Sequence, residues 1–301
     1  MENKTQLITI DIGNSVFKVG ANDKLIEFAS MRKEIDVSEI DFAEAIIYND
    51  KVHAIRQGDY VHENFKAKKD GLEEFVLYAI STITEADEVN LMLNLPVNQI
   101  ANKELLKDRL QDKLFEFTVN SPINGISKQS KLLQISKVGV VAESMSAYYS
   151  IDDKELKDFI IVLDIGSKTV NYSTYTRIGE FDFEKSGTLD FGIHNLYGEL
   201  ISYYKQEQYK TYTLSDIDDR MRANRLQYPK ELNVNFINKI KNSLRGNGFY
   251  DFDEYCIKAC GGGAIVLGKE LTEQFSEASV LDNPLYRNNI GNKIIAEGLG
   301  L

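Results

Sequence analysis

The chain has only two cysteines, Cys256 and Cys260, and three histidines in 301 residues. A structural zinc site takes about four thiolate or imidazole ligands, and no third or fourth partner stands at metal-binding spacing. Both cysteines lie in YCIKAC, where strand alternation puts them on one face, too far apart for a disulfide. Buried packing of two small apolar side chains is the expected role. Positive charge is also scarce: 35 Lys and Arg against 46 Asp and Glu leave a net charge of −11. Non-specific hold on nucleic acid depends on counterion release to lysine and arginine, so no direct nucleic acid binding is expected. The densest basic cluster, KAKK at 66–69, reads as a solvated loop or helix end. No apolar run approaches the roughly eighteen residues of a membrane span, and MENKTQL lacks a basic segment followed by an apolar one. A cytoplasmic protein without a membrane partner is the expectation. Low-complexity segments are absent. With 43% apolar and 27% charged residues the composition is that of a folded chain, long enough for two domains.

What the sequence does contain is a near repeat. Residues 8–15 read ITIDIGNS and residues 161–168 read IVLDIGSK, so Asp11, Ile12 and Gly13 fall on Asp164, Ile165 and Gly166. Each copy is an apolar strand entering an Asp-Ile-Gly turn and leaving as an antiparallel strand. The surrounding elements repeat in order. Strands at 6–10 and 16–21 and a hairpin at 44–56 turning on Asn49-Asp50 precede a helix whose inner face is Leu72, Phe75, Val76, Ala79, Ile80 and Ile83. A strand over 89–96, a helix from about Asn102 to Leu114, and strands within 115–138 about a Pro-Ile-Asn-Gly turn follow. VVAESMSAYY leads into a helix, and the charged IDDKELKD reads as an exposed join. The second half has a central strand FIIVL, hairpin strands, and a helix from Ile193 to about Lys205. A capping box at Ser215 and Asp218 opens a short helix, and Phe236, Ile237, Ile240 and Leu244 face inward from another. The strand EYCIKA, a turn at Gly261–Gly263 and two final helices complete it.

A strand entering a tight turn leaves backbone N–H groups pointing outward, a concavity that attracts anions, and glycine lets a phosphate come close. Asn14 and Ser15 add side-chain donors in the first copy, Ser167 and Thr169 in the second, and Lys18 can reach back from the next strand. The aspartates suit a phosphate only through a magnesium ion, whose retained waters carboxylates can hold. Two such turns facing across a cleft would grip one Mg-nucleotide from both sides. GSKT at 166–169 lacks the upstream glycine of a P-loop and leads into a strand, and CGGGAIVL lacks the Rossmann spacing. The glycines at 261, 262 and 263 instead allow a base or an anion to lie against the main chain at a helix start. Glu143, at the start of the helix in VVAESMSAYY, could orient and deprotonate a water.

In this order the segments resemble the actin, sugar-kinase and seventy-kilodalton heat-shock ATPase superfamily. DIGNSVFKVG is similar to its phosphate 1 segment, VVAESMSAYY to connect 1, LDIGSKTVN to phosphate 2, CGGGAIVLG to the adenosine segment and NNIGNKIIAEGLGL to connect 2. Compact length, the NLPVNQ strand end and the GGGA run make the bacterial ParM-type, plasmid-segregating actin-like proteins the nearest resemblance. It implies an α/β chain with the actin-like ATPase fold: two duplicated, ribonuclease H-like domains of mixed β-sheet with flanking helices around a nucleotide cleft. The domains would be 1–145 plus 287–301, and 146–286. It implies Mg2+, ATP or sometimes GTP as substrate, self-assembly into filaments that hydrolyse nucleotide after polymerising, and a DNA-binding adaptor on a plasmid centromere. Carried over by residue, Asp11 and Asp164 match the carboxylates that hold the metal's waters, and Glu143 matches the group that activates the attacking water. Lys18 matches a phosphate-contacting lysine, and Gly261 to Gly263 the nucleoside turn. Phosphate 2 is usually Gly-Gly-Thr after the aspartate, whereas Gly166-Ser167-Lys168-Thr169 stands here, so Thr169 departs from the pattern and Lys168 is expected to face solvent. A small-molecule kinase on the same fold, of the sugar or pantothenate type, is the alternative.

Overall fold

Ile8, Ile10 and Ile12 alternate along β1 (Gln6–Ile12) and are fully buried, as a strand period of two requires. The computed structural model describes residues 5–61, 63–151 and 159–301. The join expected at IDDKELKD lies, beyond Ile151, outside the described residues. After β1 come β2 (Val16–Ala21), β3 (Lys24–Ala29), β4 (Met31–Glu34), β5 (Ala45–Tyr48), β6 (Lys51–Ile55) and β7 (Asp59–Tyr60). Asn49 and Asp50 join β5 to β6 with φ of 51° and 61°, the double positive φ that a tight hairpin turn demands. Then follow α1 (Leu72–Ile83), β8 (Glu88–Leu95), α2 (Lys103–Leu110), β9 (Lys113–Ser121), β10 (Ile126–Ala142), α3 (Met145–Tyr149), β11 (Phe159–Ile165), β12 (Val170–Tyr175) and β13 (Phe181–Leu189). The chain ends through α4 (Ile193–Glu207), α5 (Leu214–Arg222), α6 (Glu231–Gly246), β14 (Tyr255–Cys260), α7 (Gly262–Gln274), β15 (Ala278–Val280) and α8 (Arg287–Leu299).

Two compact units result, Met1–Ala142 with Asn288–Leu301, and Glu143–Arg287. The first holds a sheet in the order β3-β2-β1-β8-β10-β9-β5-β6-β4-β7, the second a sheet in the order β13-β12-β11-β14-β15. In the first, β3, β2 and β1 run antiparallel to their neighbours, and β1, β8 and β10 are parallel. In the second, β13, β12 and β11 alternate likewise, and β11, β14 and β15 are parallel. The smaller sheet therefore repeats half of the larger one strand for strand, with β1 and β11 in equivalent central places. α1 covers the first sheet, its Phe75 ring stacked 4.9 Å from Phe17. In the second unit the apolar faces of α4, α6 and α7 bury Leu196, Leu200, Ile237, Ile240, Leu267 and Leu271 with β11 and β14.

The structure departs from the expected elements at several places. α2 stops at Leu110 instead of Leu114, because Asp112 takes φ 55° and turns the chain into β9, whose Phe115, Phe117 and Val119 are buried. The cap of α5 is Thr213, not Ser215: Thr213 Oγ1 accepts from Asp216 N at 3.1 Å while Thr213 N donates to Asp216 Oδ2 at 2.8 Å. The helix expected in VVAESMSAYY is confined to α3, since Val138 to Ala142 remain paired with β8, and Glu143 stands at a strand end. Only Gly261 is in the turn after β14; Gly262 and Gly263 are already helical. KAKK is solvated only at Lys68: Lys66 and Lys69 are buried, with Lys69 Nζ bonded to the Val61 carbonyl and lying over the Phe17 and Phe75 rings. Neither cysteine forms a disulfide; Cys256 is half-buried and Cys260 buried.

Candidate nucleotide site

In the first unit the turn after β1 is closed by Gly13 N donating to Asp11 O at 3.0 Å. A Cβ at Gly13 would collide with the Val16 carbonyl, so the residue there must be glycine. Asn14 is buried and its Oδ1 accepts from Glu63 N at 3.3 Å, while Ser15 O accepts from Ser30 N at 2.8 Å. The Ser15 Oγ is buried without a hydrogen-bond partner among the described residues. Asp11 lies opposite Lys18 in the antiparallel register, and Lys18 Nζ donates to Asp11 Oδ2 at 2.9 Å. Lys18 thus engages the carboxylate. Burial pushes the Asp11 pKa up, but the charges of Lys18 and Lys66 and hydrogen bonds from Lys18 and Asn288 outweigh it and hold the group below the ordinary 3.8. Asn289, the next residue on α8, donates to Thr9 O at 3.2 Å and Lys18 O at 3.1 Å, fixing that helix to β1 and β2.

A carboxylate whose pKa is depressed by folding stabilises the fold above its unfolded value and ceases to as pH falls through the folded one. Urea unfolding between pH 5 and pH 2, both round figures of about the carboxylate range, is expected to show this acid-side loss. Asp11→Asn should flatten the slope there; an unchanged slope would contradict the charge assignment.

In the second unit Gly166 N donates to Thr169 O at 2.9 Å, closing the turn after β11. Ser167, Lys168 and Thr169 are half-buried, so Lys168 is not simply a solvent side chain. Gly192, unremarked in the sequence, lets the start of α4 lie on this turn: Ile193 N and His194 N donate to Gly166 O and Ser167 O, each at 2.9 Å. A Cβ on Gly192 would stand 2.6 Å from both carbonyl oxygens. Gly192→Ala is therefore expected to destabilise the second unit by about 1–3 kcal/mol in urea unfolding. Gly198→Ala, a helical position with nothing within 4 Å, should be neutral or stabilising.

Asp164 is buried, and Gly261 closes on it with φ 83°: a Cβ there would strike Asp164 Oδ1 and lie 2.7 Å from Ile165 O. Gly263 is as close to Ile165, and Gly262 faces Arg222, which Asp218 holds at 2.9 Å. Glu143 is also buried, its Oε2 accepting from Asn171 Nδ2 at 2.5 Å, and Asn171 Oδ1 accepts from Thr188 Oγ1 at 2.7 Å. Asn171 lies opposite Asp164 in the β11–β12 register, the place Lys18 takes opposite Asp11. Ser144, next to Glu143, has φ 63°, a strained geometry for serine that fixes where the strand end points. Asn171 and Gly192 were legible only as a residue seven past the repeated aspartate and a glycine before a helix.

Comparison with solved structures decides the fold. An archaeal actin homologue matches with a TM-score of 0.81 at 17% identity, covering 98% of this chain and 100% of its own. The chain has an actin-like fold. The ADP complex of that homologue matches this actin-like chain with a TM-score of 0.78 at 16% identity, over 98% of this chain and 100% of the other. A 15-stranded ParM filament from Clostridium botulinum matches with a TM-score of 0.75 at 18% identity, over 98% and 99% of the two chains. No protein-family model matches the chain, and no curated protein does. No helix of the described residues is long and apolar enough to cross a membrane.

Taken unit by unit, the residues of each turn are of the kind that suits a magnesium nucleotide. Both aspartates are oxygen donors, the set magnesium prefers. Among the described residues no group of three or more His, Cys, Asp and Glu side chains could hold a metal. The Cβ-excluding cradle at Gly13 with the orphaned Ser15 hydroxyl in the first unit, and the cradle at Gly261 in the second, are each of the kind a phosphate-rich ligand needs.

Proposed function

We propose that this chain is a nucleotide-dependent, filament-forming actin-like ATPase of the ParM type that drives plasmid DNA segregation in the cytoplasm. The observation carrying this reading is the recurrence of one Asp-Ile-Gly turn at the end of the same central strand in two copies of one sheet order. In this reading both turns take one nucleotide, ATP or GTP. The backbone around Gly13 and Gly166 and the side chains of Asn14, Ser15, Ser167, Lys168 and Thr169 bind phosphate, and Gly261 to Gly263 lie against the nucleoside. Asp11 and Asp164 would hold a magnesium ion through water, and that ion, when bound, would neutralise phosphate charge. Glu143, steadied by Asn171, accepts a proton from the water that attacks the terminal phosphorus, leaving a nucleoside diphosphate and inorganic phosphate.

The ADP complex of the archaeal homologue and the ParM filament support nucleotide binding and self-assembly respectively. The net charge of −11 favours a separate DNA-binding adaptor over direct contact with a plasmid centromere. Light scattering and pelleting with Mg-ATP and Mg-GTP test the reading, and nucleotide-dependent polymer is expected. A protein that stays monomeric with every nucleotide and salt would overturn the filament, and a screen for small-molecule phosphoryl acceptors would follow.

A further inference from the structure

The two faces of the first sheet are covered differently. α1 packs on the face that carries Ile8, Ile10 and Phe17. On the other face the strand register sets Thr9 beside Gly20 and Gly20 beside Leu25, with Leu7 one period back along β1. α8 crosses this second face. Asn289 ties it to β1 and β2, and Lys293 Nζ spans to the β2–β3 turn, donating to Asn22 O at 3.2 Å and Asp23 Oδ1 at 3.4 Å. Between these attachments lies a cavity of about 640 Å³, whose walls include Leu7, Thr9, Gly20, Leu25, Asn289 and Ile290. That volume is of the size that small-molecule sites have. Asn289 is buried, and its Nδ2 donates to Thr9 O and Thr9 Oγ1, each at 3.2 Å, and to Lys18 O at 3.1 Å, which fixes the orientation of the amide. Its Oδ1 is buried with no hydrogen-bond partner among the described residues. A buried acceptor left in this way costs stability that a donor would restore. The charged residues of the lining are Asp23, Glu297 and Lys293, so one negative charge is in excess, and both carboxylates are on exposed residues at the solvent side.

We propose that this cavity is a binding site for a small amphipathic organic cation. Its apolar body lies between Leu7, Leu25 and Ile290, an N–H group donates to Asn289 Oδ1, and its positive group faces Asp23 and Glu297. Each part answers one feature of the lining. A hydrocarbon of the same shape leaves the Asn289 oxygen unpaired, and an anion meets the excess negative charge. The site is separate from the nucleotide reading, because Leu7, Gly20 and Leu25 lie toward the end of the β-sheet away from the Asp-Ile-Gly turn.

The test titrates the full chain, without nucleotide, with three probes of similar size. Tryptamine carries a ring N–H and a positive charge, naphthylethylamine the charge without the ring N–H, and indoleacetate the ring N–H with a negative charge. The chain has no tryptophan, so the fluorescence of each probe reports its own binding. Tryptamine is expected to saturate one site, half-filled at about a millimolar, the strength of a molecule of that size. Naphthylethylamine should bind about fivefold more weakly, the worth of one hydrogen bond, and indoleacetate more weakly than tryptamine. Leu25→Lys, at an exposed wall position, should weaken tryptamine about tenfold by setting a cation in its path, while Leu132→Lys, exposed on β10, should change nothing. Thermal unfolding serves as the fold control. Should Leu25→Lys not fold, Glu297→Gln on the exposed side of α8 replaces it, with about a threefold loss expected for tryptamine. No saturable binding of tryptamine, equal affinity for the three probes, or tryptamine binding unaltered in the folded cavity variant would each overturn the proposal.

Discussion

Asp164→Ala should reduce phosphate release from Mg-ATP or Mg-GTP about a thousandfold or more, the scale of losing a preorganised charge in a catalytic site. The carboxylate is buried at the end of a central strand, and the Gly261 turn presses against it so closely that no side chain fits between. Such a carboxylate cannot be replaced by a neighbour, because the backbone on either side is committed to β12 and β14. Asp164→Asn, nearly the same shape, separates charge from packing. It should be as inactive as the alanine variant while unfolding at nearly the unaltered temperature. Substantial hydrolysis by the asparagine variant would show that the charge is not needed.

Glu143→Gln should slow hydrolysis by about a hundredfold or more, the range of a positioned general base, while leaving assembly intact. The glutamine can turn its amide oxygen to Asn171 Nδ2, so that hydrogen bond survives while the basicity is lost. Polymers formed with Mg-nucleotide should then persist long after unaltered ones have disassembled, as followed by light scattering with parallel phosphate release. An unchanged turnover rate would take Glu143 out of the chemistry. Asn171→Ala, which removes one hydrogen bond from that carboxylate, should slow hydrolysis less than Glu143→Gln does.

Much of this was legible in the sequence because the decisive features are local. Asp11, Gly13, Asp164 and Gly166 announce themselves by repetition, and strands such as FIIVL or helices such as α1 and α6 follow from their periods. What was not legible depends on partners distant in the chain. The burial of Lys66 and Lys69 is imposed by contacts with Gln99, Arg109 and two phenylalanine rings, none of which a basic run discloses. Asn171 became a site residue only through the strand register that sets it beside Glu143, 28 residues earlier. Glu143 itself was expected on a helix, since VVAES has no glycine or proline to mark where β10 ends; pairing with β8 carries the strand on to Ala142. The shift of the α5 cap from Ser215 to Thr213 has a like origin, Asp218 being drawn away by Tyr197 and Arg222.

The direct test of the central claim is the stoichiometry of nucleotide binding, measured with a fluorescent ATP or GTP analogue with and without magnesium. If the two duplicated turns serve a single ligand, saturation comes at one nucleotide per chain, depends on magnesium, and is lost in both Asp11→Ala and Asp164→Ala. Saturation at two nucleotides per chain, or full affinity in either variant, would contradict it.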